Sequence, residues 1–200
     1  MILGITGSFG AGKSTVREEF FLLGWHFFDA DKVCHDIYAS PSGEFFNRIT
    51  ACWGNSIIAP EGSIDRRKLA ETVFGKPDEL KNLTDILYPE LNRRMDSEIA
   101  MCRNKGLNGA FEIPLLFEQD YAARFDAVLT VWGAAEIRHQ RLKDLRHFTD
   151  EEIAKRENQQ LPSDEKLERA DFALINNGSK ELLRKQILIL TDKIKNWNKK

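Results

Sequence analysis

No two cysteines stand close enough to form a CxxC unit; the three present, Cys34, Cys52 and Cys102, are widely spaced. This argues against a disulfide framework and against a cysteine-rich zinc site, and it fits a reducing, cytoplasmic compartment. The four histidines, His26, His35, His139 and His147, show no metal-ligand spacing either. No charge-free apolar run of about 20 residues occurs, so no membrane-spanning helix is expected. The opening MILGITGSFG lacks a basic stretch and a long apolar one and does not read as a secretory signal. Repeats with a period of about 20–50 residues are absent, as are low-complexity tracts. Nor is one charge in excess: 29 Lys and Arg stand against 31 Asp and Glu, a formal net charge of −2. That balance excludes a strongly basic nucleic-acid coat and an acidic tail, and nucleic acid is not expected as a partner. The stretch from Lys193 to Lys200, rich in Lys and Asn, reads as a fraying helix end.

What is present is an ordinary globular composition, 42% hydrophobic and 30% charged over 200 residues. Such a chain can bury a sizeable core in one domain with a modest insertion. Five short apolar runs read as buried strands: Ile2 to Thr6, Trp25 to Phe28, Gly109 to Leu116, Ala127 to Trp132 and Phe172 to Ile175. Helical spacing follows the first, with Val16, Phe20 and Leu23 on one stripe and Gly24 as the stop. Leu80, Leu83, Leu87, Leu91 and Met95 form a long stripe, interrupted at Pro89, that reads as core packing. Lys76-Pro77-Asp78 reads as a turn, and Thr149-Asp150-Glu151-Glu152 as a capping box that starts a helix. Glu181 to Ile194 is amphipathic and predicted to pack on the body. Strands alternating with helices predict an α/β fold with a parallel sheet. The gap between the second and third strands is too long for one crossover helix, so residues 41–105 are expected to hold a helical insertion.

Gly7-Ser8-Phe9-Gly10-Ala11-Gly12-Lys13-Ser14 matches G-x-x-x-x-G-K-[ST] in full, after a predicted strand and before a predicted helix. The pattern has a mechanism. Glycines let the backbone curl so that successive N–H groups face phosphate oxygens, and the helix N-terminus adds positive charge. Lys13 is placed to neutralise the outer phosphates, the Ser14 hydroxyl to ligate Mg²⁺, and Thr15 to add a phosphate contact. Such loops serve switches, motors and small-molecule kinases alike. No N-K-x-D base-reading motif is complete here: Asn104-Lys105 continues Gly106-Leu107, and Asn198-Lys199 is followed only by Lys200. A long apolar strand ending in Asp-Glu is missing too, and these absences favour a compact kinase.

Asp29 and Asp31 follow the second apolar run one residue apart. On extended backbone they would point to the same side, at the strand end where ligands of such sheets bind. Phosphoryl transfer needs a held metal and a base for the acceptor proton, and one carboxylate suits each task. The competing reading is a solvated turn in which one Asp caps a helix.

With GSFGAGKST followed by FDAD, the chain resembles the dephospho-CoA kinase family. Further matches follow in order: Trp53-Gly54 with Gly62-Ser63-Ile64-Asp65-Arg66, then Leu87-Tyr88-Pro89, then Ile113-Pro114-Leu115-Leu116-Phe117-Glu118. Arg141-Leu142 with Gln160-Leu161-Pro162, and Ala170-Asp171 to Asn176-Asn177-Gly178, complete a resemblance that runs from about residue 2 to about residue 178. The resemblance implies a three-layer P-loop NTPase fold with a five-stranded parallel sheet. It implies transfer of the γ-phosphate of ATP, with Mg²⁺, to the ribose 3′-hydroxyl of dephospho-CoA, with Asp31 in the place of the catalytic base. It also implies a nucleotide core at 1–30, 106–135 and 166–200, a helical CoA-side domain at 31–105 and a lid at 136–165. Three departures from the family pattern stand out: Tyr88 stands where His is common, the lid is one residue longer between Arg141 and Thr149, and Phe9 and Ala11 replace smaller or polar loop residues.

By default the cations of 136–169 form a solvated helical face. An arginine spanning donor and acceptor nevertheless favours phosphoryl transfer, and Arg141, then Arg146, are the candidates. Glu118 is open to three readings: orienting a lid arginine, standing behind Mg²⁺, or a plain surface role. Asn176 and Asn177 are candidates for adenine contact or for a helix-entry turn. Cys34 reads as a small buried hydrophobe. A nucleoside or nucleotide kinase is the alternative activity, and a nucleotide-gated binding protein the alternative class. A monomer or small homo-oligomer in the cytoplasm is expected.

Overall fold

Each of the five apolar runs carries a strand; helical sequence follows four of them, and turns with a short 3₁₀ segment follow the third. A computed structural model of the chain describes residues 1–73, 75–195 and 197. In it β1 (Ile2–Thr6), β2 (His26–Asp29), β3 (Gly109–Glu112), β4 (Ala127–Trp132) and β5 (Phe172–Ile175) form one parallel sheet in the order β2-β3-β1-β4-β5. Leu3 of the central β1 sits in register with Ala110 of β3 on one side and Ala127 of β4 on the other. All five β1 residues are buried, as a continuous apolar run in a parallel sheet requires. With β3 and β4 on its two sides, β1 is the topological switch, at whose carboxyl end ligands of such sheets bind. The third strand is shorter than its apolar run: it stops at Glu112, and Pro114, which has no N–H for the ladder, follows in a series of turns.

The chain divides into two compact units, Met1–Phe28 with Ile99–Lys200, and Asp29–Glu98. In the first, α1 (Lys13–Leu22) and α9 (Lys180–Lys195) contribute Val16, Phe20, Leu183 and Ile187 to a buried cluster with Leu3, Ile5, Leu129 and Val131. Trp25 meets Phe20 edge to face at 4.9 Å. Trp197, in the Lys- and Asn-rich tail, meets Phe172 at 4.7 Å; residues 196 and 198–200 of that tail lie outside the described residues. Between β4 and β5 run α6 (Ala135–Arg146), α7 (Asp150–Glu157) and α8 (Ser163–Arg169). This is the segment of the expected lid, and it belongs to the first unit. Thr149 forms the capping box read from sequence, with both of its hydrogen bonds to Glu152 present.

The second unit is helical: α2 (Ala30–Ala39), α3 (Glu44–Trp53), α4 (Arg66–Val73) and most of α5 (Pro77–Asn104). Helix α5 runs unbroken through Pro89, where the sequence predicts an interruption. An interior proline costs about 3 kcal/mol. Burial of Leu83, Leu87, Leu91 and Met95 on one stripe, at about 1.5–3 kcal/mol each, outweighs it. Leu80, assigned to the same stripe, is exposed. Lys76-Pro77-Asp78 is not a separate turn: Pro77 is the first residue of α5, where its missing N–H is no loss.

Candidate functional site

Beyond Thr6 the backbone curls. Gly7, Gly10 and Gly12 take φ of 143°, 78° and 95°, a region side chains rarely adopt. A Cβ on Gly7 would lie 2.3 Å from the Val131 carbonyl oxygen, so the loop can close on β4 only without a side chain there. Gly12 is the left-handed N-cap of α1, which has no side-chain cap and no acidic residue in its first turn. The positive end of the helix therefore meets no side-chain cap and favours an anion, while the Thr15 and Val16 N–H groups donate to the Gly12 carbonyl (3.1 and 3.3 Å). Lys13 reaches back over the loop, its Nζ donating to the carbonyls of Gly7 (2.9 Å) and Ser8 (3.3 Å). Ser14 and Thr15 stand in the first turn of α1, half-buried.

Asn176, buried after β5, donates from Nδ2 to the Ala11 carbonyl at 2.8 Å. Its side chain supports the phosphate loop, and a Cβ on Gly12 would lie 2.2 Å from that same nitrogen. Asn177 Oδ1 accepts from the Ala134 N–H at 2.8 Å. Arg141 spans the loop that follows β5, donating from Nη1 to the Asn176 carbonyl (2.7 Å) and from Nη2 to the Gly178 carbonyl (3.1 Å). Arg146 is in the last turn of α6, exposed, and thus in a different setting from Arg141.

Two cations assigned to the solvated face are in fact buried. Arg138 is 5% exposed and donates to the Phe9 carbonyl (2.7 Å), the Gly133 carbonyl (3.0 Å) and Glu157. It lies one turn before the buried Leu142, and that i, i+4 spacing is the one sequence signal that it faces inward. Lys166 is fully buried, with Nζ 2.8 Å from Glu118 Oε1 and 2.7 Å from the Pro114 carbonyl. Burial pushes its ammonium below the usual lysine range, and Glu118 opposes that shift. Glu118 Oε1 also accepts from the Leu161 N–H at 2.8 Å. Of the three readings of Glu118, the structure favours none: its carboxylate anchors a buried lysine. Gln160 and Ser163 complete the surroundings, through Phe9 N–H to Gln160 Oε1 (3.1 Å) and a Ser8–Ser163 hydroxyl pair.

In the second unit, Asp29 and Asp31 are not both on extended backbone. Asp29 ends β2 and N-caps α2, accepting from the Lys32 N–H at 2.9 Å, while Asp31 already lies in the helix's first turn, exposed. The same-side argument therefore fails, and the capping role falls to Asp29. Beneath Asp31, burial and then its carboxylate push the Cys34 thiol up to about 11. Among the described residues no three His, Cys, Asp or Glu side chains converge as a metal cage, and no helix is long and apolar enough to cross a membrane.

A family model described as dephospho-CoA kinase matches residues 1–181. The chain belongs to the dephospho-CoA kinase family. It is 34% identical to the dephospho-CoA kinase of Carboxydothermus hydrogenoformans, covering 100% of this chain and 98% of that one. The corresponding figures for the Geobacillus kaustophilus dephospho-CoA kinase are 35%, 99% and 97%. The solved Thermus thermophilus protein TT1252 superposes with a TM-score of 0.81 at 32% identity, over 96% of this chain and 97% of that one. A shikimate kinase from Acinetobacter baumannii, at 16% identity and a TM-score of 0.52 over 98% and 93%, shares the fold. Dephospho-CoA kinases are ATP-dependent and catalyse the last step of coenzyme A synthesis.

Proposed function

We propose that this protein transfers the γ-phosphate of ATP to the ribose 3′-hydroxyl of dephospho-CoA, in the cytoplasm. The observation that carries the reading is the glycine-curled loop opening into an uncapped helix, in a chain that matches the family along its length. Lys13 and the remaining loop N–H groups hold the outer phosphates, the Phe9 and Ala11 N–H groups being engaged by Gln160 and Ser8. In the transfer the 3′-oxygen bonds to the γ-phosphorus as the bond to the β-phosphate oxygen breaks. ADP leaves, and the 3′-hydroxyl proton passes to Asp31. The Ser14 hydroxyl, in the first turn of α1, is suited to an octahedral cation arriving with the nucleotide, and Asp31 is its second candidate ligand. Mg²⁺ bound there supplies neutralisation of charge on the transferring group. Arg141, whose guanidinium lies beside the loop after β5, stabilises the charge spread over the phosphates, with Arg146 a second contact.

The test is a panel of acceptors with ADP release as readout. Dephospho-CoA is expected to be phosphorylated in preference to nucleosides and nucleotides. Asp31→Asn is expected to lose about 100- to 10,000-fold in turnover while still binding ATP. Turnover with nucleosides and none with dephospho-CoA would overturn the reading in favour of a nucleoside kinase.

A further inference from the structure

A phosphate loop binds through its backbone, so the side chain at its tip is free to serve something else. Here it is a phenylalanine, and residues 138–160 engage every group it has. Its N–H donates to Gln160 at 3.1 Å, and its carbonyl accepts from Arg138 at 2.7 Å. Its ring meets Phe148 edge to face at 5.2 Å. The guanidinium of Arg156 lies 5.0 Å from both ring centroids. Arg138 is itself fixed by Glu157 and by the Gly133 carbonyl. Sinking an arginine to 5% exposure is costly unless charge and hydrogen bonds compensate. Here both do, and what that arginine holds is the tip of the loop.

We propose that Phe9 is a positioning residue: the grip of Arg138, Phe148, Arg156 and Gln160 on it keeps the phosphate loop in its nucleotide-ready curl. The proposal rests on the kinase reading only in taking the loop to bind a nucleoside triphosphate. Order fixed in advance is entropy not lost on binding, so releasing the tip weakens nucleotide binding. The ring, rather than bulk alone, matters, because the arginine is attracted to its face.

The experiment measures MgATP affinity by isothermal titration on the full chain, without acceptor, for the wild type, Phe9→Ala, Phe9→Tyr, Arg156→Gln and the Phe9→Ala/Arg156→Gln double variant. Phe9→Ala is expected to weaken binding about tenfold. Arg156→Gln should weaken it by a similar factor, and the double variant by no more than the worse single one. Phe9→Tyr should recover most of the affinity. In turnover, KM for ATP should rise by more than kcat falls. Arg156 is exposed, so its variant keeps the test open if Phe9→Ala fails to fold. Unchanged affinity in Arg156→Gln and Phe9→Ala, or fully additive losses in the double variant, would overturn the proposal. If the wild type binds MgATP but phosphorylates no dephospho-CoA, the kinase reading fails while the variants' affinities still decide the grip; normal MgATP binding by the variants of an enzyme active on dephospho-CoA overturns the grip and leaves the kinase reading intact.

Discussion

Cys34 keeps its proton to about 11, against an ordinary value of 9.0, because burial and then the Asp31 carboxylate both disfavour a thiolate. Between those two values the unfolded chain is deprotonated and the folded one is not. The stability Cys34 contributes is therefore full below 9.0 and is lost as pH rises through about 11. Near neutral pH, iodoacetamide is expected to label the exposed Cys52 and to spare Cys34. Peptide mapping checks this: Cys34 labelling should climb only toward about pH 11, and Asp31→Asn should shift that rise to lower pH. Equal labelling of the two cysteines near neutrality would contradict the placement of Cys34. The two predicted lid arginines separate at this scale as well. Arg141→Ala removes a guanidinium held at the loop after β5, and turnover is expected to fall on the order of 100- to 1,000-fold. The melting temperature should fall little by comparison; a matching loss of both would assign Arg141 a structural role only.

Among the elements, the phosphate loop with its flanking strand and helix was legible because its chemistry is local: glycines, lysine and hydroxyl are consecutive, and the apolar periods on either side fix β1 and α1. The Thr149 capping box was legible for the same reason. Partners distant along the chain were not. Arg138 is 129 residues from the Phe9 carbonyl it holds, and Lys166 is 52 from Pro114. In α8 no apolar period marks the inward face, so a buried lysine there reads as one more surface charge. The backbone at Asp31 was not legible, because capping by Asp29 starts α2 at Ala30 where the apolar run alone predicts extended chain. The anchoring of α8 is itself testable. Lys166→Met leaves the half-buried Glu118 without its cation and is expected to cost up to about 3 kcal/mol in urea denaturation. Lys166→Met combined with Glu118→Leu should regain most of that loss, since two apolar groups need no partner. A single variant as stable as the wild type would mean the pair does not anchor α8.

For the whole molecule, composition and spacing were enough to predict an α/β chain with a parallel sheet and a helical insertion, since those follow from where apolar runs stop. The limits of the insertion were less legible. It occupies Asp29–Glu98, and Ile99–Asn104 of the continuous α5 belong to the sheet-containing unit, because no glycine or charge run marks that change inside one helix. One measurement addresses the proposed activity most directly: following ADP and coenzyme A together as MgATP and dephospho-CoA are consumed. One coenzyme A should appear for each ADP, and Lys13→Ala should abolish both products without unfolding the protein. ADP formed without coenzyme A, or an undiminished rate in Lys13→Ala, would contradict phosphoryl transfer from this loop.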